Sequence, residues 1–144
     1  GWEVSDEYQL ILVWADKKEM SAKTAEVMRT TLMNMYPEGR IVGGEKGFIL
    51  IWNLSKCGDF KRDRIQLLFK QTEADVSMSL RMKGIYNLSH LYRQAKSALD
   101  MRELFSGETD GIFDFYEAAA NYILAERTGG KGWTVSHILF LSET

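Results

Sequence analysis

A single cysteine, Cys57, and a single proline, Pro37, stand in the whole sequence. One cysteine excludes an internal disulfide framework and any cysteine-rich zinc site, and it points to a reducing compartment. Its plainest role is that of a small apolar filler near a turn. Long hydrophobic runs are missing too: the longest, Leu10 to Ala15, is far too short to cross a bilayer, and no charged and apolar leader precedes it. A cytoplasmic protein without membrane contact is expected. Nor is there an excess of charge of one sign. Eighteen Lys and Arg against twenty Asp and Glu give a net charge of -2, so no basic field exists to attract a phosphate backbone, and direct nucleic-acid binding is not expected. The chain opens at Gly1 without a methionine, as a piece excised from a longer protein with further domains does.

What is present is enough for one domain. At 144 residues with 45% hydrophobic and 26% charged residues, the chain can bury a sizeable core, and a second full domain does not fit. Tyr8 to Trp14 is almost continuously apolar and β-favouring, which predicts a central strand buried on both faces. From Ser21, a plausible N-cap, the apolar positions Ala25, Met28, Leu32, Met35 and Tyr36 fall at helical spacing until Pro37 and Gly39 end the helix. Arg40-Ile41-Val42 and Phe48 to Trp52 flank the glycine-dense stretch Gly43-Gly44-Glu45-Lys46-Gly47, the pattern of a hairpin.

After a polar break from Ser55 to Asp59, the spacing of Ile65, Leu68, Phe69 and Thr72 predicts an amphipathic helix. Alternation from Val76 to Met82 predicts a strand with four apolar side chains on one face and Ser77, Ser79 and Arg81 on the other. Leu88 to Leu99 reads as a helix, Ile112 to Phe115 as a short strand, and Glu117 to Arg127 as a last helix packing Tyr122, Ile123 and Leu124. The glycine-rich break from Thr128 to Gly132 reads as a linker, and Trp133 to Leu141 beyond it is too short to fold alone. Such an apolar segment docks on the domain or buries itself against a partner, and dimerisation is expected. The order of elements contains the split βαβ pair of a ferredoxin-like core.

On that hairpin, Val42-Gly43-Gly44-Glu45-Lys46-Gly47-Phe48-Ile49-Leu50-Ile51 resembles the signature turn of GGDEF-type diguanylate cyclases. Val76 to Leu80 followed by Leu88 to Leu99 is similar to the fourth strand and next helix of that family. It resembles more closely the GGDEF-like middle domain of CdaR/PucR-type bacterial transcription regulators, as do Gly111 to Tyr116, Tyr122-Ile123-Leu124 and His137 to Leu141. The resemblance implies an α+β fold: a ferredoxin-like βαββαβ core with a nucleotide-cyclase-like, mostly antiparallel sheet and flanking helices. Residues 1–127 would form the regulatory domain, and 128–144 a linker and apolar segment leading toward a C-terminal domain.

Departures from the cyclase pattern decide the expected activity. An active member of that family holds two divalent cations with acidic residues on the hairpin and after the first strand, because oxygen ligands suit magnesium and its charge offsets the phosphates. Here Glu45 is followed by Lys46 where a second acid is implied, with an extra glycine before Phe48. Asp16 closes the first strand, but Lys17, Lys18 and Glu19 replace the acidic and Phe-Lys segment that should follow. The expectation is therefore a non-catalytic signal-sensing or dimerisation module of a transcription regulator, a homodimer with an unidentified small-molecule effector. No metal and no cofactor are expected, and DNA would be met only through a helix-turn-helix outside this chain.

The candidate ligand-binding residues are Asp16, Gly43, Gly44, Glu45 and Lys46: Gly43 to Gly47 read as a phosphate cradle of backbone N–H groups, against a plain glycine hairpin turn that needs no ligand, and Asp16 with Glu45 as a residual metal or ligand site, against solvated carboxylates at strand ends, the plain turn and the solvated carboxylates preferred. Alternative readings are a nucleotide-binding or weakly active cyclase-like domain using Asp16 and Glu45, and a protein-interaction scaffold. Ser77, Ser79 and Arg81 line either a ligand surface or a covered sheet face with satisfied hydroxyls, the latter preferred. His90 and His137 lack ligand spacing. Trp2, Trp14, Trp52 and Trp133 are expected as core or interface anchors.

Overall fold

The computed structural model describes residues 1–15, 22–43, 46–71, 74–102 and 111–127. The β-favouring run near the N-terminus forms β1 (Glu7–Trp14), which lies in the middle of the sheet. It pairs antiparallel with β3 (Gly47–Asn53) on one side and β4 (Asp75–Met78) on the other. The hairpin partner β2 (Arg40–Gly43) forms one edge, and β6 (Ile112–Asp114) runs parallel to β4 at the other. A two-residue strand, β5 (Met82–Lys83), pairs with the start of β1. The result is a mixed α/β fold with a six-stranded, mostly antiparallel sheet in the order β2-β3-β1-β4-β6 and helices packed on it.

Because side chains alternate along a strand, β1 serves two layers. Ile11 and Val13 join Met28 and Leu32 of α1 (Ala22–Met35), Ile65 of α3 (Arg62–Gln71) and the ring of Phe48. Tyr8, Leu10 and Leu12 face the other way, onto Leu91, Ala95 and Leu99 of α4 (Leu88–Asp100). This is why the run could be apolar at nearly every position. On the α1 side three rings interlock: Tyr36 stacks on Phe60 at 4.7 Å, and Trp52 meets both edge-on at 5.8 and 5.6 Å. Their polar tips are satisfied, with the Tyr36 hydroxyl donating to Lys61 O at 2.7 Å and Trp52 Nε1 donating to Gly58 O at 2.8 Å.

The strand expected over Val76 to Met82 is instead broken by a bulge. Ile11 pairs with Met78 and Tyr8 with Met82, so two residues of β1, Gln9 and Leu10, oppose three, Ser79, Leu80 and Arg81. One extra residue reverses which face the following side chains use. Val76 and Met78 therefore lie in the α1 layer, whereas Met82 packs in the α4 layer beside Tyr8. The four apolar residues do not share a face.

Two further differences are local. The polar break after β3 contains a one-turn helix, α2 (Leu54–Cys57): the Asn53 side chain accepts from Lys56 N at 3.0 Å at its start, and Gly58, with φ 75°, closes it. Phe115 begins the last helix rather than ending a strand, since Asp114 Oδ1 accepts from Tyr116 N at 2.8 Å as a cap. In that helix, α5 (Phe115–Arg127), Ala118 and Tyr122 pack on Ala98 and Met101. Ile123 and Leu124, expected to pack with Tyr122, are 50% and 59% exposed, because each step of about 100° carries the next residues off the buried stripe. No helix among the described residues is long and apolar enough to cross a membrane.

Candidate functional site

The end of β1 and the base of the β2–β3 hairpin meet closely. Trp14 pairs with Gly47, and Ala15 N donates to Lys46 O at 2.8 Å. A Cβ on Gly47 would lie 2.1 Å from Val13 O, so only glycine lets the returning strand come this near. Val42, Ile49 and Leu12 form one cross-strand row on the α4 side of the sheet. α4 buries the Leu12 end of that row, but Ile49 is only half-buried and Val42 is 54% exposed.

The uncovered space is an open groove of about 350 Å³, walled by Leu12, Val42, Ile49 and the rings of Trp14 and Tyr92, with Gly43 and Gly47 contributing backbone. Lys46 is its one charged lining residue among those described. On the Trp14 ring sits Lys96, with Nζ 4.7 Å from the centroid, and that amine is held by Asp100 at 3.1 Å. Of the residues singled out in the sequence, Gly43 and Lys46 thus belong to this groove. Asp16, Gly44 and Glu45 lie outside the described residues, as do Ser21, His137, Trp133 and the whole of 128–144. Trp14, Val42, Ile49 and Tyr92 were not legible as site residues; only the hairpin register brings them together.

Ser77 and Ser79 are not a ligand surface. Both are buried beneath α4, where Ser77 Oγ donates to Ala95 O at 2.7 Å. Ser79 Oγ accepts from Leu10 N at 2.9 Å and donates to Leu80 O at 2.7 Å, so it replaces the ladder bond lost at the bulge. Gln94 and Gln9 complete this buried set: Gln94 Oε1 accepts from Leu80 N at 2.9 Å, and Gln9 Nε2 donates to Ser79 O at 3.0 Å. The covered sheet face with satisfied hydroxyls is what forms. Arg81 leaves it and pairs with Asp59 at 2.9 Å on the surface.

A second depression, of about 320 Å³, lies beside the aromatic trio on the other face. Its charges are largely engaged: Lys56 pairs with Glu3 at 3.6 Å, Asp59 with Arg81, and Arg64 donates to Met35 O at 3.0 Å. Cys57 lines it as well, and burial pushes its thiol above the ordinary range. No three His, Cys, Asp or Glu side chains converge among the described residues. No family model matches the sequence, and no curated protein matches it.

Proposed function

We propose that this domain is a non-catalytic signal-sensing or dimerisation module of a bacterial transcriptional regulator, built on a ferredoxin-like βαββαβ core of the GGDEF-like kind. The order β2-β3-β1-β4, antiparallel throughout and with a helix following β1 and another following β3, supports that core. The observation that carries the function is the groove itself. At the junction of β1 and the hairpin, its described lining is Trp14, Tyr92, Val42, Ile49 and a single cation, Lys46. Such walls favour an apolar ligand over a metal-bound triphosphate, which wants oxygen ligands and several cations.

In this reading the module acts by population shift: a ligand or a neighbouring domain favours one subunit arrangement over another. DNA is contacted by a helix-turn-helix elsewhere in the protein. The test is titration with GTP and magnesium, followed by tryptophan fluorescence and by product formation, with sedimentation velocity alongside. Expected are no turnover and a concentration-dependent monomer–dimer equilibrium. Magnesium-dependent conversion of GTP to a cyclic dinucleotide overturns the reading, and a strict monomer without effector response leaves an interaction scaffold.

A further inference from the structure

We infer that β2 is a dimer edge: it pairs antiparallel with β2 of a second copy across a two-fold axis at Ile41, so that both sheets become one. This rests on the dimerising role proposed above and names its surface. The register decides which backbone groups β2 leaves over. Ala15 N donates to Lys46 O, and on the opposite side of β1 Ser79 N donates to Leu10 O. Bonded pairs alternate along an antiparallel ladder, so Val13 with Phe48 and Ile11 with Leu50 are bonded pairs, and Ile49 and Ile51 turn their main-chain groups toward β2. Their partners there are Val42 and Arg40. Across planar trans peptides, the N–H and C=O of Ile41, the C=O of Gly39 and the N–H of Gly43 therefore point away from β3. Among the described residues nothing meets them. Edge groups of this kind are a template for strand addition.

The edge suits its own copy. Read against itself about Ile41, Gly39-Arg40-Ile41-Val42-Gly43 sets Ile41 opposite Ile41, glycine opposite glycine and Arg40 opposite Val42. Ile41 exchanges both of its bonds with its counterpart, and each Gly43 N–H reaches the Gly39 C=O of the other copy. Gly39 N already donates to Tyr36 O at 3.1 Å, which ends the pairing there. The strand's one charge, Arg40, meets the apolar Val42 of the other copy, which is 54% exposed in the single chain. Sliding the seam one way sets Arg40 against Arg40, a like-charge pair that destabilises a sheet. Sliding it the other way, to Val42 against Val42, leaves the Gly39 C=O without a donor. So short an isologous contact gives a weak, concentration-dependent dimer rather than an obligate one.

The full chain is followed by sedimentation velocity, with hydrogen exchange read along β2 over a concentration series. Expected is a dimer in which the Ile41 amide gains protection as concentration rises, while the Arg40 and Val42 amides, bonded to β3, are protected throughout. Val42→Glu, at an exposed position and with its fold checked by circular dichroism, sets a carboxylate opposite Arg40 and tightens the dimer by about three- to tenfold. Val42→Lys weakens it by about as much. Adding Arg40→Gln cancels the gain from Val42→Glu.

Weakening by both charged variants puts Val42 against Val42 and overturns the Ile41 register. A dimer indifferent to both variants, or one whose Ile41 amide does not respond to concentration, overturns the edge and leaves the regulatory reading standing. A strict monomer overturns it as well, and an Ile41 amide protected at every concentration then means that the chain covers its own edge. The regulatory reading falls instead on cyclic-dinucleotide synthesis, which the sedimentation and exchange data do not register.

Discussion

Asp6 and Asn53, 47 residues apart, are joined by a buried hydrogen bond in which Asn53 Nδ2 donates to Asp6 Oδ2 at 2.8 Å. The same oxygen accepts from Glu3 N at 2.9 Å, the Asp6 carbonyl accepts from Gly84 N at 2.9 Å, and the Asn53 side chain caps α2. One pair thereby fastens the N-terminal turn to the end of β3, the start of α2 and the turn before α4.

That pair makes stability depend on acid. The hydrogen bond from Asn53, then the one from Glu3, holds the Asp6 carboxyl below its ordinary value of 3.8. A group whose pKa is lowered by folding stabilises above its unfolded pKa, and that contribution is lost as the pH falls through the folded one. Urea midpoints of Asp6→Asn should lie below those of the unaltered protein at neutral pH, with the gap closing below about pH 4. A gap independent of pH would mean that the charge contributes nothing. Asn53→Ala, which also removes the cap, should cost about 1–3 kcal/mol.

At the alkaline end Tyr36 governs. Burial raises its hydroxyl from 10.0 to about 12, so the folded state keeps its proton while the unfolded chain gives it up. Stability is full below pH 10.0 and declines between there and about 12, the window set by the two values. Tyr8, also raised by burial, declines in the same sense. Tyr36→Phe should lose about 0.5–1.5 kcal/mol at neutral pH with the bond to Lys61 O, yet show a shallower alkaline fall in its denaturation midpoint.

Ser79→Ala strands the Leu10 N–H, which otherwise donates to the serine hydroxyl. A buried donor without a partner costs about 1–3 kcal/mol. Hydrogen exchange at the Leu10 amide should quicken in this variant and stay slow in Ser79→Thr, which retains a hydroxyl. Unchanged exchange in Ser79→Ala would show that another acceptor takes over.

Gly47→Ala tests the close approach of the hairpin. The added methyl meets Val13 O and the Trp14 Cα, at 2.1 and 3.1 Å, and backbone atoms of a central strand have nowhere to go. A loss of about 1–3 kcal/mol is expected from the forced displacement, read by chemical denaturation. Trp14 fluorescence should shift with it, because the residue's pairing partner is the one altered.

Much of the architecture was legible because its signals are local. The almost continuous apolar run of β1 announced burial on both faces, and the spacing of Leu91, Ala95 and Leu99 announced the stripe that α4 buries. The bulge was not legible: alternation from Val76 to Met82 reads the same whether or not a residue is added opposite β1, and only pairing reveals the reversal. α2 escaped because four residues carry no periodicity, although Asn53 three places before Lys56 is a capping spacing. The groove was half visible. Glycines mark Gly43 to Gly47 as a turn, and Lys46 carries the wrong charge for a metal, but the partners Trp14 and Tyr92 come from 32 residues before and 46 residues after Lys46. Two tryptophans meet basic groups distant in sequence: Arg40 lies 4.6 Å from the Trp2 ring, and Lys96 sits over Trp14.

The two-sided membership of β1 sets how disturbance spreads through this domain. Consecutive side chains of the strand answer to opposite layers, so exchanging one residue is felt by one audience only. The main chain belongs to both. A push on Trp14 that merely rotates its ring stays private to the α4 layer, whereas one that slides the strand moves Ile11 and Val13 against α1 and α3 at the same instant. Packed interiors yield in discrete steps rather than by smooth deformation. Any displacement of this eight-residue strand is thus shared by both layers at once.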